Sequence, residues 1–186
     1  MKWTYKHVDK HTPTVDPKAW VLHTDLGTAF STTQTITGSK SVSYNWYIKK
    51  NGDVIEFVPE QYGAWHAGYI SDPTVRAVTL FNLKQTKKPT DPDGWEPNVN
   101  GYSWSICYEG KGERATKAQV ESAVEIIRSK ETKELPLIAH QELTSYKPKV
   151  VKDFHQRIGA MLRGCTLDKW TTSELIQEII KRIRKS

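Results

Sequence analysis

Residues 42–58, "VSYNWYIKKNGDVIEFV", constrain this chain more than any other stretch. Val42, Tyr44, Trp46 and Ile48 alternate with Ser43, Asn45 and Tyr47, the period of a strand with two distinct faces. Asn51-Gly52 then offers the positive-φ pair of a two-residue turn, and "DVIEFV" reads as the returning strand of a hairpin. The chain continues into "AWHAG" (64–68), where Ala67 and Gly68 clear space rather than fill it.

The rest of the sequence surrounds that hairpin with alternating element types. "AWVLHT" (19–24), "YSWSICYE" (102–109) and "LPLIAH" (135–140) read as strands. The middle one places Ser103, Ser105, Cys107 and Glu109 on one side and Trp104, Ile106 and Tyr108 on the other. Thr116 and Gln119 form a capping box ahead of Val120, Ala123, Val124 and Ile127, which share a helix face. "PTVRAVTLFNLKQ" accommodates a short helix, and Thr171 and Glu174 open a last one with the stripe Leu175, Ile176, Ile179, Ile180 and Ile183. Strands interleaved with helices predict an α/β fold with a central mixed sheet flanked by helices. Residues 1–18, with Pro13 and Pro17, read as an irregular lead-in, 19–168 as one domain, and 169–186 as an amphipathic helix packed on it. The Ser/Thr/Gly-rich stretch 25–40 reads as a loop opening off the first strand, and 70–101, with four prolines, as a long binding loop.

Composition narrows the function. No run approaches the roughly 18 apolar residues of a membrane span. The start, "MKWTYKHVDKHTPTVD", lacks the apolar core of a secretory signal, so the chain is expected to be made in the cytoplasm. A formal net charge of +6 suits an anionic partner such as nucleic acid, a membrane or an acidic wall polymer. The basic residues are dispersed and carry no nucleic-acid reader motif, which sets nucleic acid aside. The last helix buries its Leu/Ile stripe on the core in this reading, which sets stable membrane association aside. Cys107 and Cys165, without CxxC spacing, read as thiols.

His23 and His140 each end an apolar strand, and strand ends in an open α/β sheet deliver side chains to a shared cleft. Two imidazoles and a carboxylate would give the three protein ligands and one open position of a catalytic zinc site. After His140 the chain runs "QELTSYKPKVVKDFHQR", which offers Asp153 or His155 as the third ligand. Lys147, Lys149 and Lys152 stand beside them as cations for a developing oxyanion.

In order along the chain, strand-His23, "SYNWYIKKNG", "AWHAG", "SICYEG" and strand-His140 with a downstream Lys and Asp resemble the zinc-dependent N-acetylmuramoyl-L-alanine amidases of the type 2 family. That family includes small bacteriophage lysozyme-like amidases and the peptidoglycan recognition proteins, and the likeness runs from about Ala19 to Arg157. The resemblance implies Zn2+ on His23 and His140, with Asp153 as third ligand and His155 as its alternative. It further implies a catalytic tyrosine at Tyr44, an assisting base at Glu109, an assisting lysine at Lys149 or Lys152, and substrate contacts at Trp65, His66 and Gly68. The family commonly writes Lys-x-Cys-Pro or Lys-x-Asp-Pro-Gly around its third ligand, whereas here Val151 stands two before Asp153 and no Pro-Gly follows. The activity implied is cleavage of the amide between N-acetylmuramic acid and L-alanine in peptidoglycan. The role implied is that of a monomeric phage or prophage endolysin acting on the wall after release. The alternative is a non-catalytic peptidoglycan-binding module of the same fold.

Overall fold

The computed structural model describes residues 1–13, 17–38, 42–67, 70–83, 99–110, 113–130, 134–144 and 150–164, with 150–152 by backbone alone. Among the described residues, eight strands and four α-helices follow one another as β1 (Trp3–Tyr5), β2 (His11–Pro13), β3 (Ala19–Thr24), α1 (Ala29–Thr37), β4 (Trp46–Ile48), β5 (Val54–Glu56), β6 (Tyr62–Ala64), α2 (Val75–Phe81), β7 (Ser103–Tyr108), α3 (Lys117–Arg128), β8 (Leu137–Ala139) and α4 (Val150–Leu162). Six strands form one sheet in the order β1-β5-β4-β7-β3-β8, and β2 pairs with β6 in a second, two-stranded sheet. Only β4 and β5 run antiparallel in the large sheet, so the expected mixed sheet flanked by helices is what forms.

Alternation along the strands explains the layers. Trp20 and Leu22 of β3, Trp46 and Ile48 of β4, and Trp104, Ile106 and Tyr108 of β7 pack beneath α3 and α4, meeting Val120, Val124, Ile127, Phe154 and Ile158. Three indoles sit at the centre of this face, their centroids 5.0–6.2 Å apart. Truncating Trp20 or Trp46 would cost about 3–5 kcal/mol by the usual cavity penalty. On the other face Val21 and Ile138 meet Ala77 and Phe81 of α2. Tyr47, Phe57 and Cys107 meet Ile36 of α1 on that side. His23 has the parity of Ala19 and Val21, and so belongs to the α1/α2 face.

The hairpin forms with a different turn from the one expected. Gly52 alone takes a positive φ (+88°), while Lys49 N–H donates to Asp53 O at 2.8 Å and Gly52 N–H to Lys49 O at 2.9 Å, a longer loop than a two-residue turn. The lead-in is not irregular throughout. Trp3↔Val54 puts β1 in parallel register at the sheet edge, and His11↔Ala64 joins β2 to β6. The Ser/Thr-rich stretch after β3 contains α1, capped by Thr28 and Ser31 acting on each other's backbone N–H and anchored by buried Ile36. The stretch containing Lys152, Asp153 and His155 is α4. The final helix expected at 169–186 lies outside the described residues. So do Gly68, Lys147, Lys149 and Cys165.

Candidate active site

Parallel pairing of β3 with β7 and β8 sets His23 across from Cys107 and carries His140 just past the end of β8. His140 begins a short 3-10 turn, which Glu142 closes by accepting from Ala139 N–H at 2.9 Å. Glu142 is itself held by Arg76 at 3.0 Å, and Thr74 N–H donates to Glu142 O, so the start of α2 is tied to the turn bearing His140. The two imidazoles meet with centroids 4.4 Å apart, each almost fully buried. The predicted convergence of His23 and His140 is therefore present.

His66 stands against the same pair. Its Nδ1 lies 2.9 Å from His23 Nε2, and its Nε2 lies 3.0 Å from Ser103 Oγ. Its backbone N–H and that of Ala67 both donate to Asn100 Oδ1, which fixes the segment. Expected at the substrate surface, His66 is instead 4% exposed, a neighbour of His23 rather than a residue facing outward. Burial, and then the proximity of His140, push its pKa down to about 3. The Ala67 carbonyl accepts from His140 Nε2 at 3.1 Å, and Ala67 is itself buried.

Hydrogen-bond direction assigns the protons. The hydroxyl of Ser103 donates to Val99 O at 2.7 Å, a group that only accepts, so Ser103 Oγ accepts from His66 Nε2–H. A buried imidazolium without a carboxylate would be costly, so His66 is neutral and its Nδ1 accepts from His23 Nε2–H. His140 carries its proton on Nε2, facing Ala67 O. Both His23 and His140 thus carry a proton on Nε2, and in the neutral ring this leaves the lone pair at Nδ1, the state a metal ligand requires.

Tyr44 completes this side of the site, its ring 5.1 Å from that of His23. Burial first, and then Cys107 and Asp25, raise its pKa well above the ordinary value, so the phenol keeps its proton and donates. Asn45 fixes its place in the chain. The Asn45 carbonyl oxygen accepts from Ser105 N–H (2.9 Å) and Ser105 Oγ–H (3.1 Å), and its amide donates to Tyr62 O (2.9 Å). Two residues beyond His23, the buried carboxylate of Asp25 accepts from Tyr47 OH at 2.5 Å, from Thr32 OH, and from Gly110 N–H at 3.1 Å.

The remaining expected residues lie elsewhere or do other work. Asp153 is not brought to the histidines. It sits on α4 beneath the opposite face of the sheet, beside Phe154, with Arg114 on both carboxylate oxygens at 2.9 and 3.0 Å and Arg157 at 3.7 Å. His155, one position on, lines a cleft of about 680 Å³ between β8, α3 and α4, with Arg76, Arg128 and Arg163. Among the described residues no three His, Cys, Asp or Glu side chains form a set that could hold a metal. Glu109 accepts from Ala29 N–H at 2.8 Å and Lys50 N–H at 3.0 Å, so both its oxygens anchor neighbouring backbone. Trp65 exchanges bonds with Ser43, donating to its Oγ at 2.8 Å and accepting from its N–H at 3.0 Å. Lys152 is placed on the first turn of α4. Sequence reasoning passed over Asp25 and Ser103 as site residues, although strand alternation puts Asp25 on the face of His23 and Ser103 on that of Cys107.

A mixed sheet that brings two buried imidazoles together at the ends of parallel strands, with a protonated phenol beside them, defines an α/β protein with a strand-end site suited to hydrolytic chemistry. The sequence profile of the N-acetylmuramoyl-L-alanine amidases matches residues 13–152, which is 140 of the 186 residues, and the chain belongs to that family. Amidase activity is what this membership supports. Among solved structures the chain is similar to the PlyG catalytic domain (18% identity, TM-score 0.59, covering 92% of this chain and 100% of that one). It is also similar to AmpD (17%, TM-score 0.58, 87% and 93%) and to the N-acetylmuramoyl-L-alanine amidase LysC from Clostridium intestinale (17%, TM-score 0.52, 86% and 97%). At these identities the likeness is one of fold. No curated protein matches the chain.

Proposed function

We propose that the chain is a zinc-dependent peptidoglycan amidase that cleaves the bond between N-acetylmuramic acid and L-alanine, and that its role is lysis of a bacterial wall as a phage-type endolysin. The observation that carries this reading is the pair of buried imidazoles, their rings together and each with Nε2 committed to a hydrogen bond. Two nitrogens binding one zinc tetrahedrally at the usual bond length stand ~3.3 Å apart, which rings at this separation can reach. The family is generally zinc-dependent, and the two imidazoles would supply two of the three protein ligands that a catalytic zinc takes.

His23 and His140 would hold the metal, and the chemistry it supplies is Lewis acidity toward an amide carbonyl and toward water. Tyr44, kept protonated, donates to the carbonyl oxygen as negative charge develops on it. Glu109 serves as proton acceptor only by exchanging its bond to Ala29 N–H or Lys50 N–H for one to water. The net charge of +6 favours an anionic wall polymer as substrate.

The second reading is a peptidoglycan-binding module without catalysis. It is favoured by one observation: Asp153 is held by Arg114 away from the histidines, and the residues after Thr144, "SYKPK", contain no carboxylate, thiol or imidazole. One experiment separates the two. Purified chain is incubated with peptidoglycan after stripping with a strong chelator and again after adding zinc, and newly exposed alanine amino groups are counted. Release that disappears with the chelator and returns with zinc supports the enzyme; wall binding without release under either condition supports the module.

A further inference from the structure

The nitrogen that His23 could offer a metal is chosen by residues that would not themselves touch the ion. Ser103 on β7 has its single hydroxyl proton committed to Val99 O at 2.7 Å, a carbonyl at the start of the turn leading into that strand. This leaves the hydroxyl only its accepting role toward His66 Nε2, so the His66 proton sits on Nε2. A neutral ring protonated there can only accept at Nδ1, and the donor that faces it is His23 Nε2 at 2.9 Å. A neutral His23 is thereby left with its lone pair at Nδ1. Each link has one allowed direction, and the direction begins at a backbone carbonyl, which cannot reverse.

We propose that Ser103 and His66 are positioning residues that lock His23 in the tautomer able to bind a metal, and that His66 is neither a metal ligand nor a substrate contact. The inference rests on the proposed function in taking His23 as a ligand. His66 cannot join the same ion while its Nδ1 points at His23 Nε2, because a ligand nitrogen must aim its lone pair at the metal. His140 is set separately, by Ala67 O. The two ligands therefore have independent orienting partners, one a carbonyl directly and the other a carbonyl through a hydroxyl and an imidazole.

The test reads the tautomer itself. In uniformly 15N-labelled, metal-free protein, long-range proton–nitrogen correlation of the imidazoles is expected to show His23 and His66 both protonated on Nε2. Ser103→Ala, which removes the acceptor with almost no change of volume, frees His66 to move its proton to Nδ1 and reverses the bond to His23. The His23 signal then shifts toward the Nδ1–H form, and zinc affinity falls roughly 10–100-fold. His66→Leu, which offers His23 no acceptor, is expected to weaken zinc comparably, and His66→Asn, whose amide oxygen can still accept from His23, to restore most of the affinity. Three results would overturn the proposal: a wild-type His23 protonated on Nδ1, an unchanged tautomer and zinc affinity in Ser103→Ala, or a zinc shell that loses one nitrogen in His66→Leu. Should wild type bind no zinc at all, the proposed function fails, while the metal-free spectra of wild type and Ser103→Ala still decide whether the chain of protons exists.

Discussion

Replacing Asp25 by alanine tests how the site is held. The carboxylate joins four elements: it directly follows β3, accepts from Tyr47 of β4 and Thr32 of α1, and receives the N–H of Gly110 just beyond β7. Hydrogen bonds to a charged acceptor are each worth roughly 1.5–3 kcal/mol, so three would sum to about 4.5–9 kcal/mol. That sum is too large, because alanine also relieves the cost of burying a carboxylate, and the two hydroxyls left behind can rotate toward other acceptors. The Gly110 N–H cannot rotate, and leaving it unpaired costs about 1–3 kcal/mol. A net loss of about 2–4 kcal/mol is expected for Asp25→Ala, and roughly half that for Asp25→Asn, which keeps the shape and one accepting oxygen. Urea unfolding followed by tryptophan fluorescence measures it, with the midpoint moving at constant m-value. A loss below about 0.5 kcal/mol for Asp25→Ala would show that the bonds drawn to this carboxylate do not bind the four elements together.

Three further outcomes follow from the same geometry. In metal-free protein, stability should fall on acidification below pH 6.5. Unfolded His66 takes a proton there that the folded ring, with its pKa pushed down to about 3, refuses, a slope of up to about 1.4 kcal/mol per pH unit. His155, also shifted down by burial, acts in the same direction. His66→Asn should flatten the slope, and an unchanged slope would contradict the buried neutral ring. Tyr44→Phe should lower kcat on wall fragments by about 100-fold with little change in folding, since it removes a donor to the oxyanion and, within the fold, only a hydrogen bond with the Cys107 thiol. Glu109→Gln should cost about 1–2 kcal/mol, because an amide can accept only one of the two backbone N–H groups. Unaltered unfolding would remove its anchoring role.

How far the sequence could be read depended on how local each determinant is. The strands bearing His23 and Cys107, the capping box at Thr116 and Gln119, and the helix after Thr74 rest on patterns within a few residues, and all formed. The strands Trp3–Tyr5 and His11–Pro13 escaped because three residues carry no period and their partners lie about 50 positions away. Helix α1 escaped because its Ser/Thr content favours loops, and only its cap and Ile36 argue otherwise. The meeting of His23 and His140 was legible because both end parallel strands of one sheet. The place of Asp153 was not, since its ion pair with Arg114 depends on α4 folding back beneath the opposite face. His66 stood out by its surroundings of small residues, but its inward-facing place was not legible, because it is decided by Ser103 and Asn100, more than 30 positions on.

The central claim is that one zinc ion is held jointly by His23 and His140 and is needed to open the amide. X-ray absorption at the zinc edge, on protein loaded with a single equivalent and assayed in parallel on peptidoglycan, addresses it most directly. The account predicts one ion per chain with two imidazole nitrogens in its shell, and loss of both the ion and amide cleavage in His140→Ala. Cleavage that persists at full rate without zinc, or a bound ion whose shell contains no imidazole, would contradict it.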